Sequence, residues 1–253
     1  MRSNLLHSCV PVFCALCFGV TLATSACQAK EAAPPTPEVR PALDEFGIPE
    51  NFCRGGFFAK SEQLRLAKVV GANTTRAYFY YDPLREGCPN VSLEKCKEKS
   101  YLIPGDQLVV SKTYGNFICG WYSPAKGSPT VSWLLLSDLE ITAPDAAPSP
   151  DKWAGTWSAY SSHSITIKNE ATGSLWMRGE ASWTGITGSV HIGNFNGSTR
   201  PQGNQATLDD GLCKVNFILV GGYLVANDNS RCGGANVSFD GVYWRKKQAE
   251  YRK

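Results

Sequence analysis

The chain has 253 residues, with 25 Lys and Arg against 22 Asp and Glu and a net charge of +3. No Lys/Arg cluster interleaves with aromatics, and the basic end "RKKQAEYRK" reads as a short solvated tail, which argues against nucleic-acid binding. Ten cysteines and seven tryptophans point to a small, stapled, aromatic-filled fold.

Residues 1–26 have the layout of a secretory leader. Arg2 precedes an apolar run from Val10 to Ala23, and small residues then lead to Cys27. The run is shorter than the roughly 20 residues that span a bilayer, and no basic stop-transfer cluster follows it. Cys9, Cys14 and Cys17 leave with the leader, so seven cysteines remain. In an oxidising compartment one of seven is left over, and Cys27 is the natural odd one, lying at the cut and ahead of a Pro/Ala-rich stretch. Thr24-Ser25-Ala26-Cys27 resembles a bacterial lipobox, with Thr24 where that pattern usually has Leu. The resemblance implies that Cys27 becomes a lipidated first residue, anchored by acyl chains. Cleavage after Ala26 or Ala29, with Cys27 free or lost, is the competing outcome. Gln28, rather than Asp, after the cysteine implies the outer membrane, facing the periplasm of a Gram-negative cell.

Residues 27–43 read as an extended tether. "TAPDAAPSPDK" marks a second break, dividing the remainder into modules at 44–143 and 153–247, with a linker at 144–152 and a tail at 248–253. Four cysteines fall in the first module and two in the second. Cys213 and Cys232 must pair if the modules do not cross-link. Three pairings are open in the first; Cys88–Cys96 and Cys53–Cys119 are favoured, because "GCPNVSLEKC" closes a compact loop. Beyond the leader no Cys-x-x-Cys spacing occurs, so neither zinc nor any other cofactor is expected.

Strand signals dominate both modules, which makes the expected fold all-β with two antiparallel β domains. "RAYFYYD", "DQLVVSKT", "NFICGWYS" and "TVSWLLL" are β-branched and aromatic runs separated by turn chemistry. "YLIPGDQLVVSKTYGNFICGWYSPAKGSPTVSWLLLSDLEI" resembles a bacterial SH3-like domain over about residues 66–141, through its apolar-Pro-Gly-Asp turn and its closing Ser132-Trp133-Leu134. That resemblance implies a groove of exposed aromatics for an extended peptide, with Tyr80, Tyr81, Tyr114, Trp121 and Trp133 as candidates. The segment "GIPENFCRGGFFAKSEQLRLA" ahead of it has no counterpart and reads as a private extension.

The second module runs through "DKWAGTWSAY", "SITIKN", "GSLWMRGEASW", "SVHIGNF", "KVNFILVGGYLVAND" and "NVSFDGVYWR", an up-and-down pattern. Gly155-x-Trp157 with Arg245 at the last strand resembles the calycin arrangement, which implies that the tryptophan packs under the arginine. About 95 residues is short for a ligand-carrying barrel, so a filled one is expected. "PQGN", "DGLC" and "YLVANDNSRCGGANVSFDGVYWR" resemble uncharacterised exported proteobacterial lipoproteins, a likeness that carries no activity.

Catalysis is poorly provided for. His163 and His191 are the histidines beyond the leader; His163 reads as a surface strand residue, and His191 as one with a structural or solvent role that should face away from Val190 and Ile192. Asp209-Asp210-Gly211 is turn chemistry unless the fold brings it to His191, and "NDNSRCGG" lacks the alternating acids of a Ca²⁺ loop. The expectation is a non-catalytic envelope lipoprotein that holds cell-wall peptide or a protein partner. The alternative is an inhibitor or immunity-type protein that blocks a cell-wall hydrolase with the loop "NDNSRCGGAN", pinned by Cys232.

Overall fold

A computed structural model describes residues 52–54, 57–61, 63–70, 75–82, 87–124, 127–159, 162–171 and 173–245. The leader, Cys27, the tether and the 248–253 tail lie outside the described residues. With 54% strand against 6% helix the protein is all-β, built of two antiparallel sheets.

The first sheet contains β1 (Arg65–Val69), β2 (Ala77–Tyr80), β3 (Lys97–Leu102), β4 (Gln107–Tyr114), β5 (Phe117–Tyr122), β6 (Thr130–Leu135) and β7 (Leu139–Thr142), in the order β3-β2-β6-β5-β4-β1-β7. A one-turn helix, α1 (Leu93–Cys96), precedes β3; its Ser92 cap accepts from the Lys95 amide. "KEKSYL" offers no apolar alternation of its own; pairing with β2 makes it a strand. β1 is the end of the supposed extension and lies between β4 and β7.

Both faces of this sheet carry side chains buried in cores. Alternate residues place Ala67, Phe79, Leu108, Val110, Ile118 and Leu134 in one core. Their neighbours Tyr80, Val109, Phe117, Cys119, Trp121 and Trp133 enter another, together with Cys53, Phe58, Ala59 and Leu64 of the N-terminal segment. Cys53–Cys119 ties that segment to β5, and Cys88–Cys96 closes the loop ahead of β3.

The second sheet consists of β8 (Gly155–Ala159), β9 (His163–Asn169), β10 (Leu175–Thr184), β11 (Val190–Thr199), β12 (Gln205–Asp209), β13 (Lys214–Val220), β14 (Tyr223–Asp228) and β15 (Gly241–Arg245). Each strand pairs with its sequence neighbour except β11 with β12, and β15 pairs back onto β8. The result is a nearly closed up-and-down barrel whose seam lies between β11 and β12. The run 214–228, which reads as continuous in the sequence, folds back at Gly221–Gly222. Gly221 sits at φ +57°, which a hairpin turn of two residues requires.

The barrel is filled. Trp153, Trp157, Met177, Phe195, Phe217, Phe239 and Tyr243 occupy the interior, with Phe195 4.7 Å from Phe239 and 5.8 Å from Phe217 between ring centroids. A short helix, α2 (Pro150–Trp153), covers one end. There Trp157 Nε1 donates to the Trp153 carbonyl at 2.8 Å. The Arg245 guanidinium lies 4.9 Å from the Trp157 ring centroid and donates to the Asp151 and Lys152 carbonyls.

The two sheets share a core. On the barrel's outer side Val220, Val225 and Val242 are buried with Trp121, whose ring is 5.3 Å from Tyr223 and 6.0 Å from Trp244. The outward residues Ile218, Val220, Tyr223, Val225, Val242 and Trp244 are therefore apolar because the first sheet covers that part of β13, β14 and β15.

Candidate functional site

The aromatic groove that the sequence led us to expect on the first sheet is not presented. Trp133 is fully buried, and Tyr80, Tyr114 and Trp121 are at most 8% exposed. Tyr81 is half-buried against the same core. The physical reason is coverage: the N-terminal segment and the barrel both pack on that face of the sheet. Trp133 Nε1 donates to Asp82 Oδ1 at 2.7 Å, and the same carboxylate accepts the Cys53 and Arg54 amides, so Asp82 fastens the N-terminal segment over the tryptophan. Burial raises the Tyr80 pKa above the ordinary tyrosine value.

A cleft of about 450 Å³ remains between the sheets, lined by Arg54, Glu98, Trp121, Val131 and Asp240. Its polar groups are engaged with one another. The Arg54 guanidinium donates to Glu98, to the Val131 carbonyl at 2.8 Å and to Ser132 Oγ at 2.9 Å. Asp240 accepts the Asp228 amide at 2.7 Å and lies 4.0 Å from Lys60. Burial pushes its carboxyl above the ordinary aspartate range, with the neighbouring Asp228 charge adding to the effect.

The groups considered for catalysis are dispersed into structural duties. Asp209 and Asp210 cap the turn ahead of β13, accepting the amides of Gly211, Leu212 and Cys213. Among the described residues no hydrogen bond or ion pair joins either carboxylate to His191. His191 packs against Trp183, 5.6 Å between centroids, and against Gly234. It does face away from Val190 and Ile192, but in the opposite sense to a solvent-facing histidine: the two apolar residues are outside, 63% and 67% exposed, and the imidazole is half-buried. His163 is likewise half-buried rather than on the surface. Burial lowers its pKa, partly offset by a hydrogen bond to the Ser238 backbone, and Ser162 Oγ lies 3.0 Å from its Nδ1. Among the described residues no group of three His, Cys, Asp or Glu side chains gathers as a metal site.

The loop "NDNSRCGGAN" is tied down at several points. Cys232 is bonded to Cys213, Asn229 bridges the Lys214 amide and the Leu212 carbonyl, and Gly234 N donates to the Ile192 carbonyl. A single bridge, Gly193 to Gly233, joins the loop to β11 at the seam. Beside it the β10–β11 hairpin exposes Trp183, Ile186, Val190 and Ile192. From Ala181 to Thr199 the chain carries no Asp, Glu, Lys or Arg.

A cleft of about 720 Å³ lies on the outer side of β9, β10 and β11 and shares lining residues with a smaller one of about 310 Å³. Outward positions of three neighbouring strands build it: Ser164 on β9; Trp176, Arg178 and Glu180 on β10; Asn194 and Asn196 on β11. Arg178 and Glu180 pair at 2.6 Å, and Lys168 Nζ lies 5.3 Å from the Trp176 centroid. The sequence motifs do not single out Trp176. Its alternation with buried Leu175 and Met177 was the signal that could have separated it.

No family model matches this chain, and neither a curated protein nor a solved structure matches it.

Proposed function

We propose that this chain is a non-catalytic binding lipoprotein of the cell envelope, exported, held at the outer membrane through Cys27 and taking an extended cell-wall ligand. The observation that carries this reading is the trough along β9–β11: an open, polar strip, with a half-buried indole, on the outside of a barrel whose interior is already full. Three disulfides are consistent with an oxidising compartment. The quoted motifs support an SH3-like relationship for residues 66–141, and the Trp157–Arg245 stack supports a calycin-like one for 153–247. With its aromatics covered, the first sheet acts as a platform for the barrel. Co-sedimentation of the protein from residue 28 onward with purified peptidoglycan tests the reading. Pelleting is expected, and a protein that stays in solution overturns it.

A second reading, an inhibitor of a cell-wall hydrolase, is favoured by the uncharged apolar hairpin end at Trp183, Ile186, Val190 and Ile192 beside the fastened loop. Exposed apolar groups clustered at one end of a domain fit a protein cleft. Capture of a cell-wall hydrolase by the full protein, lost on Ile186→Asp, would shift the assignment to this reading.

A further inference from the structure

We infer that the trough on β9–β11 is a glycan site, with Trp176 as its stacking platform. The inference rests on the wall-binding reading above and names the part of the wall that is recognised. Its basis is the chemistry of the strip. A sugar ring presents polarised C–H groups on its faces and hydroxyls or amides around its edge. An indole face, negative at its centre, attracts the first. Side chains that both donate and accept match the second, and Asn194, Asn196 and Ser164 are of that kind.

The charges select against other ligands. Arg178 and Glu180 neutralise each other at 2.6 Å, which leaves Lys168 as a lone cation beside the indole rather than the cluster of cations that a phosphate takes, and no unpaired carboxylate for a basic peptide. A protein-docking face would centre on a cluster of apolar anchors, whereas this strip has a single indole amid polar groups, with Ile192 at its rim. An aliphatic group there suits the methyl of an acetamido sugar. Lys168, over the Trp176 ring at 5.3 Å, is a long exposed side chain that a sugar can displace.

The dimensions agree. Alternate residues on a strand are roughly 6.7 Å apart and neighbouring strands roughly 4.8 Å apart. The outward series Trp176, Arg178, Glu180 and Ser182 therefore covers about 20 Å of β10, the reach of a short oligosaccharide rather than a monosaccharide.

The test is titration of the protein from residue 28 onward with a soluble β-1,4-linked tetramer of N-acetylglucosamine, followed by tryptophan fluorescence and calorimetry. A wall stem peptide and pelleting with whole peptidoglycan are run in parallel. Binding of the tetramer is expected, with affinity lowered roughly tenfold in Trp176→Ala and largely retained in Trp176→Phe. Asn194→Ala with Asn196→Ala should weaken it further. Raising salt tenfold should change affinity by less than about twofold, because the recognised groups carry no net charge. All of these positions are outside the core, so unchanged melting temperatures will show that the variants are folded. If the protein pellets with peptidoglycan and binds the stem peptide but not the tetramer, the glycan assignment is wrong and the wall-binding reading stands. If it neither pellets nor binds the tetramer, both fail. If Trp176→Ala binds the tetramer as tightly as the parent, the trough is not the site.

Discussion

The two sheets use their faces differently. The first buries both: one in its own core, the other beneath the N-terminal segment and the barrel. The second closes on itself, so its inner face is satisfied internally, and the first sheet covers part of its outer side, on β13–β15. The remaining outer strip on β9–β11 faces water. A sheet that supports another domain on one face and a core on the other has little area left for a ligand. A barrel with a filled interior still has its outside.

The largest effect that would break this contrast is loss of the covering segment. Replacing Cys53 and Cys119 together by Ser opens a loop of sequence separation 66, and a loss of about 4 kcal/mol is expected from chain entropy, read as a lowered urea midpoint. The proposed glycan trough, on the other sheet, should keep its affinity in that variant under conditions where it stays folded. Trp121→Ala empties the contact with Tyr223 and Trp244 and should cost about 3 kcal/mol. It should also split a single unfolding transition into two, because that ring is shared by both sheets; a single sharp transition at a lowered midpoint would show that other contacts carry the coupling. Trp133→Phe keeps most of the volume but removes one of the three donors to Asp82, and a loss of about 2 kcal/mol is expected in the same denaturation assay.

The smallest effect is one of pH. Burial raises the Asp240 carboxyl, so the folded protein holds that proton more tightly than the unfolded chain does. The corresponding stability is full below the unfolded value of about 3.9 and is lost as pH rises through the folded one. Asp240→Asn keeps an acceptor for the Asp228 amide and has nothing to ionise. Its stability relative to the parent should rise between acid and neutral pH, measured by urea denaturation at several pH values. A parallel pair of curves would place the titration elsewhere.

Much of this fold was legible in the residues, because β alternation is a strong local signal. Val215, Phe217 and Leu219 declared the inner face of β13, and the turn dipeptides separated most strands. The assignment of all-β sheets and the three cysteine pairs agree with the structure. The binding surface was not legible in the same way. Trp121 and Trp176 both sit in alternating strands next to apolar neighbours, and sequence alone does not tell which outward face another sheet will cover. Trp121 is hidden by residues about a hundred positions away, a contact with no local trace. The same non-locality inverted the sense of His191, whose strand runs past the barrel rim so that Val190 and Ile192 point outward.

One consequence of the seam concerns what happens when Cys213 and Cys232 are reduced. Toward the β11–β12 turn the two edges are held by Thr199 Oγ1 on the Thr207 carbonyl, and farther along the gap is filled by the loop that Cys232 pins. Without that pin β11 becomes an open template strand, in a stretch of nineteen residues with neither a charge nor a proline to repel another chain. The bond therefore guards against self-association as well as adding to the fold's stability, and its failure is expected as oligomers in a reducing buffer at temperatures below melting.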